Sequence, residues 1–575
     1  MTNEPHLVLF DADNITGYVF DTGRLKEIRG GSRIVSRCTS RETIVQMVTQ
    51  HDPQARVIFA GGGSGLVRFA SKETARDFAA ALRCEYRRQT ISGTLSAVSV
   101  PYPPGRFAEA VQTANVALRR FKDSQPQHDG QFVANPYTAI CVSCGQRPVW
   151  ASYQTTRGRV DDLCVACFKR RWADDTLHQE AQETRKSQAD ERSVTLGDLA
   201  KAGDLLAQAF LASAGDQLWA GAWLPDELDD LGLLSMPRNY LGFIHADGNR
   251  MGEHLRQFLE WLQGRDDLSD ADREACYSDF SQAITDATVD ALAAALLRAF
   301  PSPPAGNGRP DSRSGESNLR VPFDNVLLAG DDMILLVAAH KALDVAIDFC
   351  EGFQERMSAE AQRLGYTSQI TTSAGVVLAN VHQPILYLQQ QAKELQRGAK
   401  RLSTQWWAQN ESVSSIDFTV VTTPVLRPLR AIRKHDYTIQ EKDRELRLTR
   451  RPYTTGDLRE LLHLGRLLKG VIPGEEVSGD VERRSYPRSQ LHALYDAIFQ
   501  GYDQGSLQGA RASLRVSAHQ RKLLQDFARR FESDDPLPWG PVRGATTDQH
   551  ATAFPDLVEL YDFLHHSEQE EASDV

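Results

Sequence analysis

The chain has 575 residues, 41% hydrophobic and 25% charged, with a formal net charge of −11 at pH 7. That length holds several domains and more than one core, and no apolar run approaches the ~18 residues of a membrane-spanning helix. The acidic balance excludes a general nucleic-acid coat, though not a local basic patch. The N-terminal Met1-Thr-Asn-Glu-Pro-His6 has no basic region followed by an apolar one, so no secretory signal is read and the cytoplasm is the expected location.

The first apolar run, Leu7-Val-Leu-Phe10, reads as a buried strand with Asp11 and Asp13 at its end. A second run from Val57 turns back through Gly61-Gly62-Gly63-Ser64-Gly65 into a third, which is a hairpin signature. A helix over 72–89, a strand over 93–100 and a helix over 105–122 follow. Strand, helix, hairpin, helix, strand is a split β-α-β arrangement, with helices expected on one face of the sheet. Residues 1–134 are one such ferredoxin-like unit.

Residues 135–175 carry Cys141-x-x-Cys144 and Cys164-x-x-Cys167, with nineteen residues between the pairs. Each pair offers two sulfurs to one tetrahedral ion, so the spacing fits a zinc ribbon; two redox dithiols are the other reading. Four protein ligands leave no open position for water, which makes the zinc structural. Cys38, Cys84, Cys276 and Cys350 are scattered and read as ordinary thiols of a reducing compartment. Residues 176–238 are a helical linker domain.

Residues 239–424 repeat the first unit. Leu241-Gly-Phe-Ile-His-Ala-Asp247-Gly-Asn249 resembles the segment from Leu7, and Val326-Leu-Leu-Ala-Gly330-Asp331-Asp332 resembles the hairpin from Val57. Helix, strand and helix follow over 341–364, 369–379 and 384–402. The Pro/Gly/Ser-rich stretch 301–315 reads as a mobile loop ahead of the hairpin. Both units therefore have the palm-type fold of polymerases and nucleotide cyclases, and the fold class is α+β.

The two units differ in chemistry. Asp247 on one strand faces Asp331 and Asp332 on its neighbour, and such carboxylates can hold two hard cations, Mg²⁺ or Mn²⁺, that clamp both oxygens of a phosphoryl transfer. An ordinary tight turn is the bland reading of Gly330-Asp331-Asp332. The first unit has only Gly61, Gly62 and Gly63 at its hairpin, so it is the degenerate palm, still open to a nucleotide through its backbone N–H groups. Gly248-Asn249-Arg250-Met251-Gly252 opens a helix near Glu253, whose N–H groups and dipole suit a triphosphate such as ATP. On the late helix, Ile385, Leu388, Ala392, Leu395, Ala399 and Leu402 form a core stripe. Lys393, Arg397 and Lys400 lie off it, and Lys400 is the preferred phosphate contact.

Residues 425–566 read as a helical C-terminal domain and 567–575 as an acidic tail. Arg427–Arg451 is locally basic; it either touches RNA or a triphosphate or forms a solvated face with its interleaved acids.

These motifs, in this order, resemble the large palm-containing subunit of type III CRISPR effector complexes, the cyclic oligoadenylate synthase. The resemblance rests on Phe10 through Ser32, Phe59-Ala-Gly61-Gly62-Gly63, the four cysteines, Asp247 through Gly252, Ala329-Gly330-Asp331-Asp332, Thr372-Ser-Ala-Gly375, Ala399-Lys400-Arg401 and Arg451-Pro-Tyr-Thr454. It implies two ATP molecules between the palms, with Asp247, Asp331 and Asp332 as catalytic metal ligands. Gly248, Asn249, Gly252, Gly330, Lys400, Gly61, Gly62, Gly63 and Ser32 are the implied nucleotide contacts. It also implies crRNA, target RNA and other type III effector subunits as partners, in antiviral defence, with no membrane. Three departures stand out: Ala329 replaces the family's usual first glycine of the hairpin, Asn249 its usual second acid, and the chain starts at the first palm without the HD nuclease domain common in the family, so DNA cleavage in cis is not expected. A stand-alone nucleotide cyclase and a silent RNA-binding scaffold are the alternatives.

Overall fold

The opening apolar run forms β1 (His6–Asp13), in which Leu7, Val8 and Phe10 are fully buried. In the computed structural model the described residues are 4–125, 137–154, 160–185, 194–215, 217–304, 319–366, 369–423, 427–441, 444–471, 485–531, 538–542 and 549–565. Most of the loop expected at 301–315, and the whole tail 567–575, lie outside them.

The glycine turn closes β2 (Arg56–Gly61) onto β3 (Ser64–Phe69), with Gly62 at φ +59° and Gly63 at φ +91°. Glycine takes that left-handed backbone without a Cβ clash. Helix α1 (Leu25–Thr39) precedes the hairpin; α2 (Lys72–Thr90), β4 (Thr94–Pro101) and α3 (Phe107–Ser124) follow it, and the sheet order is β2-β3-β1-β4.

The cysteine region is a two-stranded hairpin, β5 (Ala151–Gln154) and β6 (Val160–Leu163), running into α4 (Val165–Arg185). The second Cys-x-x-Cys pair therefore sits where a helix begins. Helix α4 crosses α1 closely: a Cβ on Gly30 would fall 1.8 Å from the Arg170 carbonyl oxygen. Fully buried Glu27 of α1 accepts bonds from Ser143 Oγ at 2.8 Å and Arg171 at 2.7 Å, which ties the ribbon to the first palm.

The second palm repeats the first strand for strand. Its elements are β7 (Tyr240–Gly248), α5 (Met251–Gln263), α6 (Asp270–Ala299), β8 (Phe323–Ala329), β9 (Asp332–Ala338), α7 (Ala342–Arg363), β10 (Thr372–Asn380) and α8 (Ile385–Trp407). The order β8-β9-β7-β10 matches β2-β3-β1-β4, and each hairpin carries an irregularity in its first strand, between Val57 and Phe59 and between Asn325 and Leu327. Residues Met333 to Ala338 are fully buried, as a strand covered on both faces must be.

That covering corrects the expectation of helices on one face only. Val8 and Phe10 pack with α1 and α2 in one core, while Leu7 and Leu9 pack with α3 in another. In the second palm Ile244 and Leu335 share a core with α6 and α7, and Phe243 and Ile334 share the opposite one with α8. The first palm's α1–α2 core is the second palm's α8 core, as in a two-fold related pair. An unbroken apolar strand needs cover on both sides, and each palm supplies part of it for the other.

Beyond the palm, β11 (Ser415–Val421) adds parallel to β10, and Arg451-Pro-Tyr-Thr leads through β14 (Tyr453–Thr454) into α9 (Thr455–Lys469). The C-terminal region is largely helical and also holds a small sheet, β12 (Thr438–Glu441), β13 (Arg444–Arg447), β16 (Gln549–Ala551) and β15 (Gly540–Pro541). Strands that short show no readable period. Within the basic stretch Arg433 pairs with Asp417, Arg427 with Asp436, Arg447 with Glu445, and buried Arg451 with Asp556 and Glu559. Much of its charge is thus neutralised in place. No helix among the described residues is long and apolar enough to cross a membrane.

Candidate active site

The register of β7 on β9 pairs Ala246 with Met333, so one further step sets Asp247 across from Asp332. The hairpin turns at Gly330, φ +65°, and Asp331 reaches over the end of β7, where a Cβ on Gly248 would lie 2.5 Å from Asp331 Oδ2. Gly248 is therefore the residue that lets the two strand ends share their carboxylates. Lys400 Nζ donates to Asp247 Oδ2 at 2.6 Å, Gln396 Nε2 to the same oxygen at 3.4 Å, and His245 Nε2 lies 3.1 Å from Asp332 Oδ1. Lys400, expected at a phosphate, instead holds an aspartate.

Burial, and after it the Asp247 carboxylate, push the Asp331 carboxyl up to about 7. Crowded carboxylates of this kind are short of positive charge. Three carboxylates with no sulfur suit hard cations such as Mg²⁺ or Mn²⁺. Among the described residues, however, only the four cysteines bring three or more ligand atoms within 4.8 Å of one another. The three aspartates are close neighbours without a common focus, with Oδ2 of Asp247 engaged by Lys400 and Oδ1 of Asp332 by His245. Holding a cation would require Asp247 to exchange one partner for another.

Helix α5 starts immediately after, and no side chain caps it; Gly252 is exposed there, with nothing within 4 Å of where a Cβ would stand. Asn249 is placed otherwise than expected. It is 5% exposed, its Nδ2 donates to Thr371 Oγ1 and its Oδ1 accepts from Ser373 Oγ, so its amide is spent inside the protein. Arg250 at φ +57° stacks over Trp407 at 3.2 Å and pairs with Glu253. Ser32 sits within α1, next to the two glycines at the α4 crossing, and makes no hydrogen bond to the other candidates among the described residues.

The first palm reaches this site through its glycine hairpin. A Cβ on Gly62 would stand 2.5 Å from the Gly330 backbone nitrogen, so the two hairpin tips touch. The sequence did not reveal Lys122: its Nζ pairs with Asp11 and, at 3.0 Å, with Asp13. Lys122 and Lys400 are each the sixteenth residue of their helices, which begin at Phe107 and Ile385. Only the repeat, aligned helix to helix, could have signalled that pairing. Gly62→Val is expected to force the tips apart through both its positive φ and that contact. The unfolding temperature should fall, because a side chain held at that backbone angle costs on the order of 1–3 kcal/mol. An unchanged thermal melt would show that the tips need not meet.

The four cysteine sulfurs do converge. Cys141, Cys144, Cys164 and Cys167 offer atoms all within 4.8 Å of one another, and Cys144 Sγ lies 3.9 Å from Cys164 Sγ, across the pairs. Gly145 at φ +65° turns the first knuckle, and the Cys167 N–H points to Cys164 Sγ at 3.5 Å. The cluster can hold zinc, in the geometry of one tetrahedral ion rather than two separate dithiols.

Residues 240–405 match the family model of the Cas10/Cmr2 second palm domain. No curated protein matches the chain. Solved structures do: the Csm1–Csm4 cassette in complex with AMPPNP is 13% identical at a TM-score of 0.53, over 98% of this chain and 70% of that one. The cassette in complex with pppApApA is 14% identical at 0.52, over 98% and 69%. Csm1 in T. onnurineus is 14% identical at 0.50, over 97% and 70%. Identity this low speaks for the fold. The chain is thus similar to the Cas10/Cmr2 second palm domain over residues 240–405 and to Csm1 in fold, in line with the resemblance that its motif order carries.

Proposed function

We propose that the chain makes oligoadenylate from ATP at its second palm and closes it into a ring, as the large subunit of a crRNA-guided type III CRISPR complex switched on by target RNA. One observation carries the reading: the strand ends of a Cas10/Cmr2-like palm gather Asp247, Asp331 and Asp332 where the other palm's glycine hairpin meets them. Structures of similar fold bound to AMPPNP and to pppApApA support the substrate class.

In this reading two ATP molecules lie between the palms. The ribose 3′-OH of one attacks the α-phosphate of the other, a 3′–5′ bond forms and pyrophosphate leaves. A pair of Mg²⁺ or Mn²⁺ ions, when bound, supplies the positive charge that phosphoryl transfer needs at both oxygens. Asp247, Asp331 and Asp332 would hold them, and Lys400 keeps Asp247 in place until they do. The uncapped start of α5, with exposed Gly252, offers backbone N–H groups to a triphosphate. Gly61, with open space where a Cβ would stand, leaves room for the second nucleotide's backbone contacts, while Gly62 and Gly63 pack against Gly330 and Ile15 and hold the turn.

The test is incubation of the purified protein with labelled ATP and Mg²⁺ or Mn²⁺, with and without partner subunits, crRNA and target RNA, with products resolved by mass. A cyclic adenylate ladder that needs RNA and partners is the expected result. Product from the lone protein would favour a stand-alone cyclase, and bound ATP without pyrophosphate release would make the chain a scaffold.

A further inference from the structure

We infer that His245 is a positioning residue: it holds Asp332 in the orientation that a divalent cation requires. The inference rests on the reading of Asp332 as a cation ligand. His245 lies on β7 two residues before Asp247, so both side chains leave the same face of the sheet. The ring is 4% exposed, its Nε2 is 3.1 Å from Asp332 Oδ1, and its Nδ1 is buried with no hydrogen-bond partner among the described residues. A carboxylate only accepts, so Nε2 carries the proton in this pair. The ring's one polar contact is therefore the aspartate, in a place where an unpartnered nitrogen weakens the fold.

The internal repeat shows what the imidazole is for. When the two opening strands are aligned, Asp13 falls on Asp247 and Asp11 falls on His245; when the hairpins are aligned, Gly63 falls on Asp332. Where the hairpin has no carboxylate, the strand has no histidine. The lysine that holds the strand-end aspartate is present in both palms, at Lys122 and Lys400. What distinguishes the second palm is the hairpin carboxylate together with the N–H that fixes it. His245 commits Oδ1 of Asp332 and leaves Oδ2 for a cation, and groups that orient a ligating carboxylate change metal affinity when removed.

The experiment is a Mn²⁺ titration of the full chain without nucleotide, followed by electron paramagnetic resonance, beside thermal unfolding. His245→Leu removes the donor but also the unpartnered nitrogen, so its unfolding temperature should match or exceed that of the unchanged protein. Its palm Mn²⁺ affinity should fall roughly 10- to 100-fold. His245→Gln, whose amide can reach the Nε2 position, should return affinity to within a few-fold. His245→Met, of closer volume and also without a donor, is measured alongside, so that a packing defect in one apolar variant does not decide the result. Leu and Met variants that bind Mn²⁺ like the unchanged protein, or a Gln variant as weak as they are, would overturn the role of His245. If Asp332→Asn also binds unchanged, the ligand reading itself fails, and that result is distinct because it does not involve His245.

Discussion

Replacing Asp331 and Asp332 together by Asn is expected to abolish adenylate synthesis, a loss on the order of 10³-fold or more, as for other groups that act as a catalytic unit. The side chains are nearly isosteric, so the hairpin keeps its shape while the site loses two of its three carboxyl groups. The protein should not become less stable. Asp331 has its carboxyl raised from 3.8 to about 7 by burial and by Asp247. For an acid raised in the folded state, the folded form binds the proton more tightly, so stability is greatest below the unfolded value and falls as pH rises toward the folded one. Unfolding in chelator should therefore show Asp331→Asn more stable than the unchanged chain at pH 7 and above, with the gap closing toward pH 4. Retained synthesis would sink the two-cation assignment. A gap that widens on acidification would mean that Asp331 is ionised in the fold by some partner not recognised above.

The second large effect is expected at the ribbon. Cys164→Ser should abolish zinc binding by the four-cysteine cluster, because a four-thiolate site loses its closed coordination when one thiolate is lost. Zinc held there would contribute folding free energy, about 10 kcal/mol or more in isolated zinc modules. The damage should spread to the first palm. Glu27 is fully buried and bonded to Ser143 and Arg171, and Arg29 reaches both Asp174 on the ribbon helix and Asp324 on β8. Stripping one partner from a buried pair costs about 3–5 kcal/mol. Metal analysis and limited proteolysis check this: zinc should be absent and cleavage should appear between 137 and 185. Full zinc content and an unchanged digest in the variant would show that the cysteines do not share one ion.

Much of this molecule is legible in one dimension. The runs at Leu7, Val57, Leu241 and Val326 declare strands because strands buried on both faces are apolar without interruption. Helix stripes such as Ile385, Leu388, Ala392, Leu395 and Ala399 are buried as their spacing requires. The Asp247 and Asp331–Asp332 segments could be paired in advance because a repeat fixes topology, and topology brings strand ends together. Asn249 could not be placed, because a polar residue beside a site looks the same whether it faces outward or bonds Thr371 and Ser373 beneath the sheet. Lys400 was found but not its partner: a lysine on a helix carries no sign of which acid it will reach.

By itself, then, the sequence determined the two palms, the four-cysteine cluster and the identity of the acids, since these follow from periodicity, spacing and repetition along the chain. Tertiary structure alone decided that Gly62 touches Gly330, that Lys122 and Lys400 hold corresponding aspartates, that His245 turns its one bonding nitrogen to Asp332, and that Glu27 and Arg29 weld the ribbon to both palms. Those contacts join residues up to 295 positions apart. No local preference encodes them: each arises only when helices and strands distant in the chain bury their apolar faces together and bring the hairpin tips of the two palms into contact.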